Sequence, residues 1–147
     1  MNTLPAAYVE FGQTLAFTER TLTALLRSRL AERGVEPETW YALRLVAKGG
    51  PQVARSSLVR DLEGSRGLDA NSVVALLDQL TRDGLITGDD AVDLTEQGTA
   101  RFESLRDHVL GATANLLGQF DLRDVETTVR TLKAITQRTQ EEASSAA

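Results

Sequence analysis

DANSVVALLDQLTRDGLITGDDAVDLTEQG, residues 69–98, holds a helical pattern that is followed at once by a hairpin pattern. Apolar residues recur at helical spacing through its first half, Asp69 is a good N-cap, and Gly84 is a good C-terminal stop. Two short apolar runs then flank a turn at 88–90, and Thr95 follows as the cap of a new helix. This stretch therefore predicts a helix, a two-stranded hairpin and the start of another helix.

Two more helices are predicted directly upstream of this stretch. One starts near Pro37, with a proline and an acid in its first turn, and ends at the Gly-Gly-Pro sequence at 49–51. A short helix at 56–62 follows, with Ser56 or Ser57 as its cap. The order helix, helix, turn, helix, hairpin is that of a winged helix-turn-helix, in which the helix after the turn enters the major groove of DNA. We expect a mainly α fold with a small two- or three-stranded antiparallel wing.

The helix that begins at Asp69 has two different sides at 100° per residue. Its core-facing side is apolar: Val73, Leu76, Leu77 and Leu80. Its opposite side and flank carry Asn71, Ser72, Ala75, Asp78, Gln79 and Arg82. Asn and Gln can bond adenine through two hydrogen bonds, Ser can bond base edges or phosphate, and Ala can contact a thymine methyl. The same composition also fits an ordinary surface helix, so the order of elements carries the prediction.

Four segments resemble successive parts of bacterial multiple-antibiotic-resistance-type (MarR) regulators. They are GVEPETWYALRLVA at 34–47, SSLVRDL at 56–62, NSVVALLDQLTRDGLI at 71–86 and VDLTEQG at 92–98. The resemblance covers about residues 4–138. It implies a homodimeric winged-helix transcription factor, usually a repressor, whose partner is a palindromic double-stranded DNA operator. It also implies that a small ligand, commonly aromatic or anionic, modulates DNA binding.

The resemblance implies which residues lie at the DNA. The two serines of the short helix would contact phosphate, and polar or small residues early in the following helix would lie near bases. Together with two arginines, the expected DNA-binding residues are Ser56, Ser57, Arg66, Asn71, Ser72, Ala75, Gln79 and Arg82.

The wing departs from the family pattern, because family wings are longer and carry an Asp-x-Arg sequence. Here Gly88-Asp89-Asp90-Ala91 is short, contains no arginine and is followed by Asp93. Carboxylates near phosphates repel them, and phosphate neutralisation supplies much of the affinity for DNA. Two interpretations stay open. Either the wing stays off the DNA while Arg55, Arg60, Arg66 and Arg82 of two subunits supply the contacts, or the protein has lost DNA binding and is a ligand- or protein-binding homologue.

The chain ends carry long helices whose apolar stripes need a partner. One is predicted from about Pro5 to Arg33, one from Thr95 to about Phe120, and one from Asp121 onward. Because a long helix cannot leave such a stripe in water, we expect a homodimer rather than a monomeric bundle. The expected organisation is a single domain, 1–147, with a winged-helix core at 36–98, dimerisation helices at 4–34 and 95–138, and a flexible tail at 139–147.

Composition favours an ordinary cytoplasmic protein without cofactor chemistry. The chain has 147 residues, a net charge of −5 and no cysteine, which excludes disulfides and thiolate metal sites. We expect no signal peptide and no membrane span. His108 is the single histidine of the chain. A lone histidine on a helix is more often a structural residue than a catalytic one. We therefore expect no cofactor, no metal site and no catalytic residues; an enzyme is the third interpretation.

Aromatic residues and an arginine on the second predicted helix indicate a site for an effector. Trp40 and Tyr41 precede Arg44 by four and three residues, so the three share one side of a helix. An aromatic pair beside an arginine could hold an aromatic carboxylate by stacking and a bidentate salt bridge. With Tyr8 and Phe11 of the first helix, these are the expected ligand-binding residues. The alternative is that Trp40 and Tyr41 simply pack a junction between helices.

Overall fold

The computed structural model describes residues 3–146, without the side chains of Ser65 and Arg66. The helices of this range are α1 Ala6–Ala31, α2 Pro37–Gly49, α3 Arg55–Arg66, α4 Ala70–Arg82, α5 Glu96–Leu117 and α6 Leu122–Ala146. The strands are β1 Val53–Ala54, β2 Ile86–Thr87 and β3 Ala91–Leu94. The chain divides into two compact units, Met1–Val109 and Leu110–Ala147.

Two predicted helix starts are confirmed by their capping hydrogen bonds. The Asp69 carboxylate accepts the backbone N–H of Ser72 at 2.7 Å, which begins α4. The Thr95 hydroxyl accepts the backbone N–H of Gly98 at 2.9 Å, which begins α5. Each bond satisfies one of the N–H groups that the first turn of a helix leaves without a partner.

The predicted wing is a three-stranded antiparallel sheet in the order β1-β3-β2. Val53 pairs with Val92 on one side of β3, and Ile86 pairs with Leu94 on the other. The fold class predicted from the sequence, mainly α with a small antiparallel wing, is confirmed. The structure adds β1, which joins the wing to the start of α3.

The predicted cap of α3 is wrong. The helix begins at Arg55, one residue after β1, and Ala54 is its N-cap without a side-chain hydrogen bond. The backbone N–H of Arg55 bonds instead to the carbonyl of Asp90 in the wing, at 2.8 Å. Ser56 and Ser57 therefore lie inside the first helical turn rather than before it, because the strand leads directly into the helix.

The core lies in the first unit and joins α2, α3, α4 and the wing. Its buried residues are Leu30, Val35, Trp40, Ala42, Leu43, Val46, Leu58, Leu62, Val73, Leu77, Leu80, Ile86, Val92 and Leu105. The Trp40 ring stacks on Phe102 of α5 with ring centroids 5.4 Å apart and planes 16° apart. This core fixes α4 and the wing relative to α2.

His108 joins the end of α1 to α5 within the first unit. Its Nε2 lies 2.8 Å from a carboxylate oxygen of Glu32, and its Nδ1 lies 3.4 Å from the guanidinium of Arg33. Arg101 donates to the backbone carbonyl of Arg33 at 3.2 Å. A neutral imidazole that carries its proton on Nε2 satisfies both neighbours, because it donates to the carboxylate and accepts from the guanidinium. His108 has a structural role in this arrangement.

The second unit contains the end of α5 and all of α6. None of the described residues of α6 is buried. Residues 139–146, which we expected to form a flexible tail, continue α6 through Ala146. The predicted division of the chain into a winged-helix core and dimerisation helices stays a prediction. Within residues 3–146, no helix combines the length and the apolar character that crossing a membrane requires.

Candidate nucleic-acid interface

Helix α4 presents one buried and one exposed side, as its spacing predicts. Val73, Leu77 and Leu80 are buried in the core. The exposed side of α4 includes Asn71, Ser72, Val74, Ala75, Asp78, Gln79 and Arg82. The five expected DNA-binding residues of this helix are therefore all open to solvent on one element.

The two halves of the exposed side of α4 differ in their hydrogen bonds. In the C-terminal half, the polar side chains bond one another. The Gln79 amide donates to the carboxylate of Asp83 at 2.8 Å, and its carbonyl accepts from Arg82 at 2.9 Å. Among the described residues, no hydrogen bond involves the side chain of Asn71. Asn71 is thus better prepared to bond a base than Gln79, which would first have to leave two partners.

Asp69 sets the electrostatics at the start of α4. The backbone N–H of Ser72 donates to the carboxylate, and this bond, with smaller contributions from the Ser72 hydroxyl and the Asn71 N–H, holds the pKa of Asp69 below its usual value. The ionised carboxylate interacts favourably with the positive end of the helix dipole. It also places a negative charge at the end of the helix that would approach DNA.

The residues of α3 that we expected at phosphates lie on the first turns of that helix. Ser56 is exposed and Ser57 is partly buried. Arg60 is exposed one turn later. The side chain of Arg66, also expected at DNA, lies outside the described residues.

Arg55 holds the wing turn rather than facing solvent. Its Nε donates to the carbonyl of Asp89 at 2.6 Å and a terminal nitrogen donates to the carbonyl of Gly88 at 3.2 Å. On the other side of β1, the backbone N–H of Gln52 bonds the carboxylate of Asp93 at 2.6 Å. We name Arg55 with the carbonyls of Gly88, Asp89 and Asp90 the wing clamp. The clamp occupies one of the four arginines that we expected to supply phosphate contacts.

The wing tip is acidic and exposed. Asp89 and Asp90 lie in the turn, and both are open to solvent. Because Arg55 bonds backbone carbonyls rather than these carboxylates, their charges stay uncompensated by the clamp. The tip would repel a phosphate backbone at close range.

A cleft lies between α1 and the start of α2 in the same unit. It has a volume of about 610 Å³ and is lined by Glu19, Arg20, Thr23, Ala24, Arg27, Pro37, Glu38 and Tyr41. A second cleft of about 600 Å³ adjoins it at Arg27, Pro37 and Glu38. These volumes fall within the range of small-molecule sites.

Of the five expected ligand-binding residues, Tyr41 lines the first cleft. Trp40 is only 4% exposed and stacks on Phe102, so it is a core residue, as the alternative interpretation had it. Arg44 is exposed on α2, and Tyr8 and Phe11 are exposed on α1. None of these four residues lines either cleft. Sequence reasoning missed Arg20 and Arg27, whose positions opposite Tyr41 depend on how α1 packs on α2.

Solved structures similar to this one share its architecture. A MarR family protein from Bacillus stearothermophilus is 20% identical, with a TM-score of 0.75 over 95% of this chain and 99% of that one. The chain has the MarR-type winged-helix fold. A MarR family protein from Mycobacterium tuberculosis, solved in complex with DNA, is 18% identical, with a TM-score of 0.69 over 90% of this chain and 98% of that one. In this fold, α4 is the helix after the turn, and the sheet of β1, β3 and β2 is the wing.

CouR from Rhodococcus jostii, solved with p-coumaroyl-CoA, is 19% identical, with a TM-score of 0.70 over 90% of this chain and 95% of that one. The M. tuberculosis protein was also solved with salicylic acid. No family model matches the sequence, and no curated protein matches it.

This example of the MarR-type fold shows no metal-binding cluster among its described residues. Within that part of the chain, no three His, Cys, Asp or Glu side chains are grouped to hold an ion. The arrangement offers surfaces for binding: an exposed helix face, an acidic wing and a cleft.

Proposed function

We propose that this protein is a transcriptional regulator that binds double-stranded DNA as a homodimer. Helix α4 would enter the major groove, and a two-fold dimer would place its two copies in successive grooves of a palindromic operator. The observation that carries the proposal is the exposed N-terminal half of α4, on a helix packed in the core, where the Asn71 amide has no partner among the described residues. Repression is the mode of control we propose, since a dimer on an operator blocks access to the promoter.

A homodimer is supported by the apolar side chains that the isolated chain leaves in water. On α1 they include Tyr8, Val9 and Phe17, and on α5 and α6 they include Leu110, Leu117, Val129 and Ile135. An apolar stripe on a long helix stabilises the helix only when something covers it. A second copy covers such stripes in the commonest kind of oligomer, a two-fold dimer.

The DNA-binding test is a gel shift with the intergenic region upstream of the protein's own gene. We expect a shift, and we expect Asn71→Ala to weaken binding at least about fivefold, the lower end of what a bidentate base contact contributes. Asn115→Ala is the matched control, because it makes the same change on the exposed surface of another helix. Equal binding by Asn71→Ala and the parent would contradict the docking of α4.

A second candidate function follows from the wing. The tip carries Asp89 and Asp90, and the wing clamp occupies Arg55. A protein with this surface could have exchanged DNA for a ligand or a protein partner. The absence of any shift at low salt, with the dimer intact in light scattering, would favour this candidate over the regulator.

The cleft beside Tyr41 is the effector site we propose, for a small aromatic carboxylate. Arg20 and Arg27 offer guanidinium groups to a carboxylate, and Tyr41 lines the same cleft. One protein with the same fold was solved with an aromatic carboxylate, salicylic acid, and another with an aromatic thioester, p-coumaroyl-CoA. Binding there would modulate DNA affinity if it changed how α1 packs on α2.

Salicylate is the probe for this site, measured by isothermal titration calorimetry. We expect a heat of binding that Arg27→Gln weakens several-fold, because the variant keeps hydrogen-bonding atoms but removes the charge. Arg130→Gln removes a charge from exposed α6, where its partner is Thr127, and serves as the control. Equal binding by both variants would exclude the cleft as the salicylate site.

A further inference from the structure

An exposed apolar patch interrupts the polar face of α4. Val74 is 55% exposed, and among the described residues between 36 and 98 it is the one large apolar side chain left in solvent. Ala75 beside it is also exposed. A single surface valine is ordinary in proteins. This one lies one helical turn from Asn71, within the half of α4 that the proposed function puts in the major groove.

Asn71, Val74 and Ala75 form one contiguous surface. Residues three and four apart on a helix are neighbours, with Cβ atoms about 5–6 Å apart. The Asn71 amide, unpaired among the described residues, can bond adenine through two hydrogen bonds. The methyl groups of Val74 and Ala75 match the apolar group that the major groove offers, the C5 methyl of thymine.

We infer that Val74 is a specificity-determining residue, which contacts a thymine methyl one or two base pairs from the adenine bonded by Asn71. Three residues of helix rise about 4.5 Å and one base step about 3.4 Å, so the two contacts fall one or two base pairs apart. The operator half-site therefore contains a thymine one or two base pairs from an adenine. This inference rests on the proposed function, because it requires α4 in the groove.

The charges around α4 increase the share of the binding free energy that these base contacts must supply. The wing clamp uses Arg55, and Arg82 bonds Gln79 on the same helix. Asp69, Asp78 and Asp83 lie along α4, and all three are exposed. With few cations available for phosphate and several carboxylates nearby, the sequence-independent part of the affinity is small. Specific binding must then come largely from base edges and methyl groups.

The first step of the test is selection from a randomised duplex library with the full-length protein. We expect enriched half-sites that contain a thymine one or two base pairs from an adenine. In the enriched duplex, each thymine is then replaced in turn by uracil, which keeps every hydrogen-bonding group and lacks only the C5 methyl. We expect one replacement in each half-site to weaken binding about fourfold, the value of one buried methyl group.

Val74→Ala links that effect to the side chain. The variant should lose a similar factor on the thymine duplex and become insensitive to uracil at that position. Alanine is the better helix former, so α4 should stay folded, which circular dichroism checks. Thr131→Ala is the matched control: threonine has the shape of valine, Thr131 is exposed on the side of α6 away from Val129, and the variant should keep the sensitivity to uracil.

The possible results distinguish a failure of this inference from a failure of the proposed function. If the parent binds its enriched duplex equally well with uracil at every position, this inference is overturned while DNA regulation stands. The same holds if Val74→Ala keeps the parent's sensitivity to uracil. If the folded protein enriches no sequence, the proposed function and this inference both fail.

Discussion

Gly98 shows how one missing side chain lets two elements meet. It lies buried in the first turn of α5, and its backbone N–H donates to the hydroxyl of Thr95, which caps the helix. A Cβ at this position would overlap the carbonyl oxygen of Leu85, just before β2. The close approach of α5 to the wing therefore requires glycine, which gives the final residue of LTEQG a physical role.

Gly98→Ala is expected to destabilise the protein by about 1–3 kcal/mol or more, because backbone rather than a flexible side chain would have to move. Thermal unfolding measures the effect. Gly111→Ala, in the same helix, is the control: nothing lies within 4 Å of its added Cβ. There alanine should be neutral or stabilise by up to about 1 kcal/mol. Similar results for both variants would contradict the close approach of α5 to Leu85.

Asp69 acts at the same scale through its charge. Its carboxylate caps α4, and the hydrogen bond from the backbone N–H of Ser72 lowers its pKa. A group whose pKa is lower in the folded state stabilises the fold above its unfolded pKa. That contribution is lost as the pH falls through the folded value.

Asp69→Ala should therefore lower the thermal midpoint at neutral pH by a few degrees, and the difference from the parent should shrink in strong acid. Asp69→Asn keeps a capping oxygen without the titration, so it should retain much of the midpoint at neutral pH. Asp78→Ala, an exposed aspartate in the middle of the same helix, is the control. An unchanged midpoint in Asp69→Ala at neutral pH would show that the cap contributes nothing.

Among the elements, the sequence predicted those that carry their own local signals. Asp69, Gly84 and Thr95 mark the ends of helices and the hairpin, and the structure confirms the two caps. Strand β1 has two residues and exists only through its pairing with β3, so no local pattern could reveal it. The wrong cap at Ser56 or Ser57 has the same origin, because β1 enters α3 without an intervening loop.

The candidate sites also divide into features that local sequence patterns predict and features that depend on tertiary packing. The exposed face of α4 followed from helical spacing alone. The bonds that engage Gln79 depend on the rotamers of Arg82 and Asp83, which spacing does not define. The cleft depends on the packing of α1 against α2, so no local sequence pattern could identify Arg20 and Arg27 as its lining. The spacing that suggested Trp40 as a ligand-binding residue reflects its place in the core, where it stacks on Phe102.

The wing is the element whose charge can be tested most directly. Asp89→Arg replaces a repelling group at the exposed tip with a cation. We expect higher affinity for non-specific duplex DNA and a log–log salt dependence that steepens by about 1 for each new phosphate contact. Fluorescence anisotropy of a labelled duplex at several salt concentrations measures both.

Glu103→Arg is the control for this change, because it reverses one charge on exposed α5, away from the wing tip in sequence. Identical salt slopes for Asp89→Arg and the parent would mean that the wing does not approach DNA. Equal steepening in both variants would mean that net charge, rather than the wing, determines the effect.

At the scale of the whole molecule, the proposed dimer covers the apolar side chains of the terminal helices. Val129→Glu puts a charge on the apolar side of α6, where the parent residue is 46% exposed in the single chain. Burying an unpaired carboxylate in an interface is costly, so the variant should dissociate. Light scattering should give the chain mass of 16.0 kDa for the variant and twice that mass for the parent.

Ala134→Glu adds the same charge to an exposed position of α6 that lies on another side of the helix. It should remain a dimer. A parent mass near 16.0 kDa at micromolar concentration would reject the dimer, and with it the pairing of two α4 helices on one operator.

The stack of Trp40 on Phe102 also gives the molecule an internal optical reporter. Trp40 is the single tryptophan of the chain, and its ring is shielded from solvent between α2 and α5. Excitation of the indole therefore reports on one place, the junction that holds α5 beside the winged helix, and its neighbour Tyr41 borders the cleft. A shift in emission wavelength during a titration would locate a rearrangement at that junction without any label attached to the protein.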